Sequence, residues 1–266
     1  MATRTLNPEI TQWIRQMGDG DQVVAYHAYQ CLLEQVHLAG APGKAEEQKL
    51  LASALGEALT ARAGEGGKKP SVAGNPFLTA AASRTVEYRH PARVRANLAR
   101  LLGYLPHEAA VPYLKQALED LEARGMARCS LEGFGSDAAL EALTGALGAA
   151  GTTFRIGVLN SLAKRGGPRV AAALRRAAED PHEEVRLAAL EALADQPDPA
   201  HDAILGKATR GGSQRERRRA HVLRIRLAAA LQSQGDRAAA ARIYRAVLES
   251  DAPQPQKKAA RLALEV

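Results

Sequence analysis

Aromatic residues make up only 4% of the 266 residues, with a single tryptophan. Strands are built largely from β-branched and aromatic side chains, and no segment alternates convincingly, so a sheet core is excluded. Cysteine is nearly absent. Cys31 and Cys129 fall on separate predicted helices with no partner at metal-ligand spacing, which excludes a disulfide framework and predicts reduced, buried thiols. There is no apolar stretch of about 20 residues, and Met1–Leu6 has no apolar run behind it. Neither a membrane span nor a secretory leader is read, and the expected compartment is the cytoplasm. His-Glu-x-x-His, Gly-x-Ser-x-Gly and Cys-x-x-Cys are all missing. No catalytic residue, metal ligand or cofactor is therefore assigned, no small-molecule substrate is expected, and the chain is read as non-enzymatic.

What the chain does have is alanine and leucine. Apolar residues reach 46%, in the composition of closely packed helices. The organising stretch is Asp180 to Leu193: an aspartate cap, Pro181 at the first helical position, then Val185, Ala189 and Leu193 down one side. It recurs. Arg186 has counterparts at Arg155, Arg124 and Arg95, at intervals of 31, 31 and 29. Leu193, Leu162, Leu131 and Leu102 follow each arginine by seven, and Leu114, Leu143, Leu174 and Leu205 keep the beat half a unit earlier. Self-similarity at this period, all helical, predicts a stack of helical pairs.

In chain order, residues 7–62 read as three helices. Asn7 and Pro8 open the first, on which Ile10, Trp13, Ile14 and Met17 share a core face. Asp19 to Ala28 can be laid over Asp180 to Ala189 with Ala25 in the arginine's place, a degenerate first repeat. Residues 63–76 read as a flexible loop, either an inert connector or a contact loop, without phosphate-loop spacing. From 77 to 209 antiparallel pairs alternate. First helices are expected at 77–88, 107–118, 137–148, 168–178 and 199–209, and second helices at 91–103, 121–133, 153–165 and 182–195. Ser213 and Glu216 form a capping box for a long helix over 214–234.

The pattern Asp-Pro-x-x-x-Val-Arg-x-x-Ala-x-x-x-Leu at 180–193 resembles the second helix of short bacterial HEAT repeats, the kind found in phycobilisome-lyase-like proteins. The resemblance covers about 77–209 well and 7–36 loosely. It implies an α-α superhelix of the armadillo/HEAT type that acts as a scaffold for other macromolecules. From His221, the residues Leu231, Gly235-Asp236, Ala240, Tyr244, Val247-Leu248 and Asp251 resemble a tetratricopeptide repeat, so 213–266 is expected to be a TPR-like C-terminal unit, with 256–265 as its solvating helix. His107-Glu108 and His182-Glu183 are similar to pairs of a HEAT-like di-iron hydroxylase family, but they sit at helix starts and number two rather than four. Alkylpurine DNA glycosylases share the fold, yet use groove aromatics, whereas Trp13 reads as core.

On a helical wheel, the residues three, four and seven past each repeated arginine fall within about 60° of it. Arg95, Arg124, Arg155 and Arg186 are therefore expected on the packed side as structural groups. The resemblance implies pairing with a turn aspartate, here Asp180 for Arg186. The opposite side is the expected concave binding face, with Asn97, Arg100, Tyr104, Met126, Asn160 and Lys164 as its candidate contacts. It suits a protein surface better than a phosphate backbone. Between Lys207 and Arg226 stand eight cations against Glu216 alone, a surplus equal to the whole net charge of +7. This basic patch comprises Arg210, Arg215, Arg217, Arg218, Arg219, Arg224 and Arg226. Such a run marks a solvated, locally paired helix, an acidic protein partner or nucleic acid, although it has no interleaved aromatics to stack bases. The expected function is a non-enzymatic protein-interaction scaffold. The alternative is a nucleic-acid binder using the 210–226 helix.

Overall fold

The computed structural model describes residues 6–63, 86–149 and 151–265. Among these every regular element is helical, apart from one isolated antiparallel bridge between Arg62 and Tyr88. The chain divides into two compact units, Met1–Ala142 and Leu143–Val266.

The first unit holds α1 (Ile10–Gln16), α2 (Gln22–Ala39), α3 (Ala45–Thr60), α4 (Ala92–Gly103), a 3₁₀ turn at Glu108–Ala110 leading into α5 (Val111–Ala117), and α6 (Arg124–Leu131). The helix α7 (Asp137–Gly145) spans the division in the chain. Helix α1 packs on α2, α3 on α4, and α5 on α6. Three of the turns carry an acceptor side chain that leads the backbone into the second helix. Asp19, Asp120 and, in the other unit, Asp180 each take the N–H two residues on through Oδ1, at 2.9, 3.1 and 2.9 Å. The faces behind these turns are buried leucines, with Leu32, Leu55, Leu98, Leu102 and Leu131 fully inside. Each contributes about 1.5–3 kcal/mol by leaving water.

The helix expected over 77–88 does not extend to its expected end. Residues 86–88, its last three, are extended and bridge to Arg62, and the rest of it lies outside the described residues. The first helix packed against α4 is α3, which also contacts α5. Period counting missed this because α3 is separated from α4 by more than one repeat interval of sequence. Trp13 is half-buried, while Ile10, Ile14 and Met17 are core. The thiols are free but not buried: Cys31 is half-buried and Cys129 exposed. Cys129 lies five residues past Arg124, on the side of α6 turned away from the leucines.

The second unit holds a 3₁₀ turn at Ala146–Gly148, α8 (Thr152–Arg165), α9 (Pro168–Ala177), α10 (Glu183–Ala194), α11 (His201–Ala208), α12 (Gln214–Ser233), α13 (Arg237–Glu249) and α14 (Gln254–Leu264). Helix α10 packs between α8 and α12, with α9 and α11 on its other side. The α8–α9 turn uses Gly166 and Gly167 at φ +64° and +94°, a left-handed pair that side-chain-bearing residues resist. Helices α12, α13 and α14 pack on one another around Leu227, Leu231, Ala240, Tyr244, Val247 and Ala260. Asp236 caps α13 by accepting the Ala239 N–H at 2.9 Å. Ser213 caps α12 by accepting the Glu216 N–H at 3.1 Å. Ser213→Ala should lower the unfolding free energy by about 1 kcal/mol in a urea titration.

Candidate functional site

The arginines of the repeat are built into the stack by one device used several times. Arg95 is 5% exposed and Asp120 4%. The guanidinium grips the carboxylate through Nε to Oδ2 at 2.6 Å and Nη2 to Oδ1 at 3.0 Å. It also donates to Glu122 at 2.8 Å and to the His90 carbonyl at 2.6 Å, with the Tyr88 ring 4.2 Å away. Burial pushes the Asp120 carboxyl up, but hydrogen bonds from Arg95 and from the Glu122 and Ala123 N–H groups outweigh it, so its pKa lies below the usual range. Arg155 pairs with Asp180, and Arg186 grips Glu216 at 3.0 and 2.7 Å. The bond to Glu216 holds the Arg186 pKa up.

The pairing runs forward, from one repeat to the next. Asp120 and Asp180 each lie 25 residues beyond their arginine, and Glu216 lies 30 beyond. This corrects the expected Asp180–Arg186 pair: the Asp180 carboxylate serves Arg155, and Arg186 takes only the Asp180 and Pro181 carbonyls, at 2.8 and 3.1 Å. Arg95 and Arg186 each reach their own turn with Nη1 and the following repeat with Nε and Nη2. Arg124 is half-buried. Arg217, 31 residues after Arg186, is also in phase and donates to the Gly212 carbonyl at 2.7 Å. The 31-residue interval was the signal that could have found it.

With the arginine side committed to the stack, the residues two, five and nine positions on face outward. In the first unit, Arg100 and Tyr104 on α4 are exposed, Tyr104 at 53%, and Asn97 and Met126 are half-buried. Helix α4 runs beside α6, held close where Ser130 Oγ donates to the Ala99 carbonyl at 2.8 Å. On α2 the degenerate repeat adds Val23 and Tyr26, 77% and 65% exposed. Sequence matching missed these two because it followed the arginine, which α2 lacks. In the second unit, Asn160 and Lys164 are exposed on α8.

The basic run is less available than its sequence implies. Arg224 is buried and paired with Asp202 at 2.7 and 3.0 Å, so it is not part of any surface patch. Arg219 bonds Glu191 at 2.9 Å, Arg226 pairs with Asp195, and Arg215 lies 3.9 Å from Glu183. Glu183 and Glu191 project from α10 and Asp195 caps its end, so these charges are locally compensated, although exposed pairs of this kind add little stability. Arg210 and Arg218 are exposed and have no ion-pair partner among the described residues.

The two histidine–glutamate pairs have local roles in the backbone. His107 accepts the Ala109 N–H at 3.1 Å, and His182 contacts Arg155 at 3.1 Å and Asp180 at 3.2 Å. Among the described residues no cluster of His, Cys, Asp and Glu is arranged to hold a metal ion. Among the described residues no helix is long and apolar enough to cross a membrane.

Comparison with known families agrees with this geometry. Residues 150–224 match the family model of HEAT repeats, and residues 94–120 match that of the PBS lyase HEAT-like repeat. HEAT-like repeats therefore occupy at least these two stretches, and the regular elements of the described residues are helices of that kind. No curated protein matches the sequence. Similar solved structures include the complex of the phycocyanin lyase proteins CpcE and CpcF from Nostoc sp., 20% identical, covering 100% of this chain and 97% of that one with a TM-score of 0.42. Human deoxyhypusine hydroxylase is 16% identical over 97% and 95% of the two chains with a TM-score of 0.35. A computationally designed armadillo repeat protein for modular peptide recognition is 17% identical over 81% and 98% with a TM-score of 0.39.

Proposed function

We propose that the protein is a non-enzymatic interaction scaffold whose partners are proteins, bound across the outward sides of its second helices. The reading is carried by the division of labour on those helices. The in-phase arginines and leucines are spent on the stack, while Asn97, Arg100, Tyr104 and Met126 on α4 and α6, and Asn160 and Lys164 on α8, hold no role in the cores described above. A surface of mixed polar and aromatic character gains specificity from several moderate contacts around an aromatic anchor. Residues 213–266 are read as a TPR-like end unit of the same scaffold. The acids on α10 and at its C-terminal end that pair with Arg215, Arg219 and Arg226 weigh against the alternative of phosphate binding on the basic helix.

The test is to capture a partner with the tagged chain, identify it by mass spectrometry, and rebind it in purified form. Arg100→Ala with Tyr104→Ala should weaken that binding about tenfold or more. If the captured species is nucleic acid, binding that falls steeply with log salt and vanishes on Arg215→Glu and Arg219→Glu would overturn the proposal. If neither pair of changes matters, the outward face is wrongly assigned.

A further inference from the structure

The forward ladder stops at Arg217, and what is missing there indicates what belongs there. At Arg95 and Arg186 the guanidinium edge pointing away from its own turn is filled by a carboxylate of the following repeat, Asp120 and Glu216, and Arg155 pairs with Asp180 of the following repeat. Arg217 repeats the local half of the arrangement. Its Nη1 donates to the carbonyl five residues upstream, at Gly212, as Arg95 does to His90 and Arg186 to Pro181. The corresponding span beyond Arg217, residues 242–247, reads Arg-Ile-Tyr-Arg-Ala-Val and contains no acid. Arg217 Nε and Nη2 have no acceptor among the described residues. Arg218 beside it is exposed and unpaired, and it lines an open cleft of about 610 Å³ with Leu187, Val222, Arg215 and the paired Arg219 and Glu191. The surrounding unit, residues 143–266, carries 21 Lys and Arg against 13 Asp and Glu, whereas residues 1–142 carry 15 against 16.

We infer that the first two turns of α12 bind an acidic segment of a partner protein. A carboxylate would take the free edge of Arg217 in the place that an internal acid takes at Arg95 and Arg186, with Arg218 meeting a second carboxylate. An apolar residue of the same segment fits the cleft over Leu187 and Val222. A planar guanidinium with two adjacent free donors favours a bidentate carboxylate, and the surplus positive charge of the unit steers an anionic chain toward it. The inference rests on the scaffold reading and names the chemistry of one partner.

The probe is a fluorescein-labelled (Glu-Glu-Leu)₃ peptide titrated by anisotropy onto the full chain, beside its (Gln-Gln-Leu)₃ counterpart and a labelled oligothymidylate. The glutamate peptide should bind and the glutamine peptide should not. Arg217→Ala with Arg218→Ala should weaken binding about tenfold or more, and Arg217→Lys, which keeps the charge but loses the fork, should fall between. Helicity by circular dichroism should be unchanged in all three, since neither arginine is buried. No binding of the glutamate peptide, equal binding by the double variant, or oligothymidylate binding as tightly and with the same dependence on Arg217 and Arg218 would each overturn the inference. A partner that still depends on Arg100 and Tyr104 would leave the scaffold reading standing after such a failure.

Discussion

Arg95→Ala is expected to destabilise the first unit by about 3–5 kcal/mol, because it leaves the Asp120 charge buried with no cation beside it. The same carboxylate also holds the turn that starts at Glu122, so the loss spreads from a side-chain pair to the hairpin. Arg95→Met combined with Asp120→Asn should recover a large part of the loss, since both charges are then gone and the amide oxygen still accepts at the turn. Equilibrium urea unfolding measures both. A loss below about 1 kcal/mol for the single change, the range of an exposed pair, would show the pair to be peripheral. The pair also fixes a pH dependence. The Asp120 pKa is depressed in the folded state, so its contribution is present in full above the unfolded carboxyl's value of about 3.9 and is lost as pH falls through the lower folded value. Arg95→Ala should remove that acid-side decline from the stability curve.

The second large effect is steric. Gly56 on α3 is buried where α3 meets α5, and a Cβ there would lie 2.2 Å from Cγ and Cδ2 of Tyr113. Cγ is the root of the ring rather than its tip, so the ring has little freedom to move aside. On an isolated helix, replacing glycine with alanine would gain about 1 kcal/mol. Here Gly56→Val should instead cost about 3 kcal/mol by overpacking. Tyr113→Ala in the same background should restore part of the loss, so that the double variant is more stable than the sum of the two single changes implies. Thermal unfolding of the four proteins settles it, and simple additivity would contradict the close approach. Gly103 has a similar place on α4, with Ser130 Oγ 2.6 Å from its Cβ position.

The helical pairs were legible because they depend on local signals. The leucine beat, the Asp180-Pro181 start and the cap at Ser213 lie within a few residues of what they determine. Helices α8 to α13 begin and end within two residues of the expected bounds wherever those were set. The phase of the arginines was legible too, since a helical wheel places Arg95 and Leu98 on one side without any tertiary information. Partner choice was not. Whether Arg186 meets Asp180 or Glu216 depends on the rise between repeats, which a sequence period does not encode. The packing of α3 on α4 was hidden for a similar reason. Helix α3 lacks the repeat's arginine and aspartate, so only its packing on α4 reveals its role. The basic run misled in the opposite sense, because Glu183, Glu191 and Asp195 are distant in sequence yet face Arg215, Arg219 and Arg226 across one helix interface.

A double-mutant cycle at Arg186 tests most directly whether each arginine reaches forward to hold the next repeat. Arg186→Ala is combined with Glu216→Gln in one cycle and with Asp180→Asn in the other, and unfolding free energies are compared. The forward ladder predicts a coupling of about 1–3 kcal/mol with Glu216 and a much smaller one with Asp180. Dominant coupling to Asp180, with none to Glu216, would contradict it.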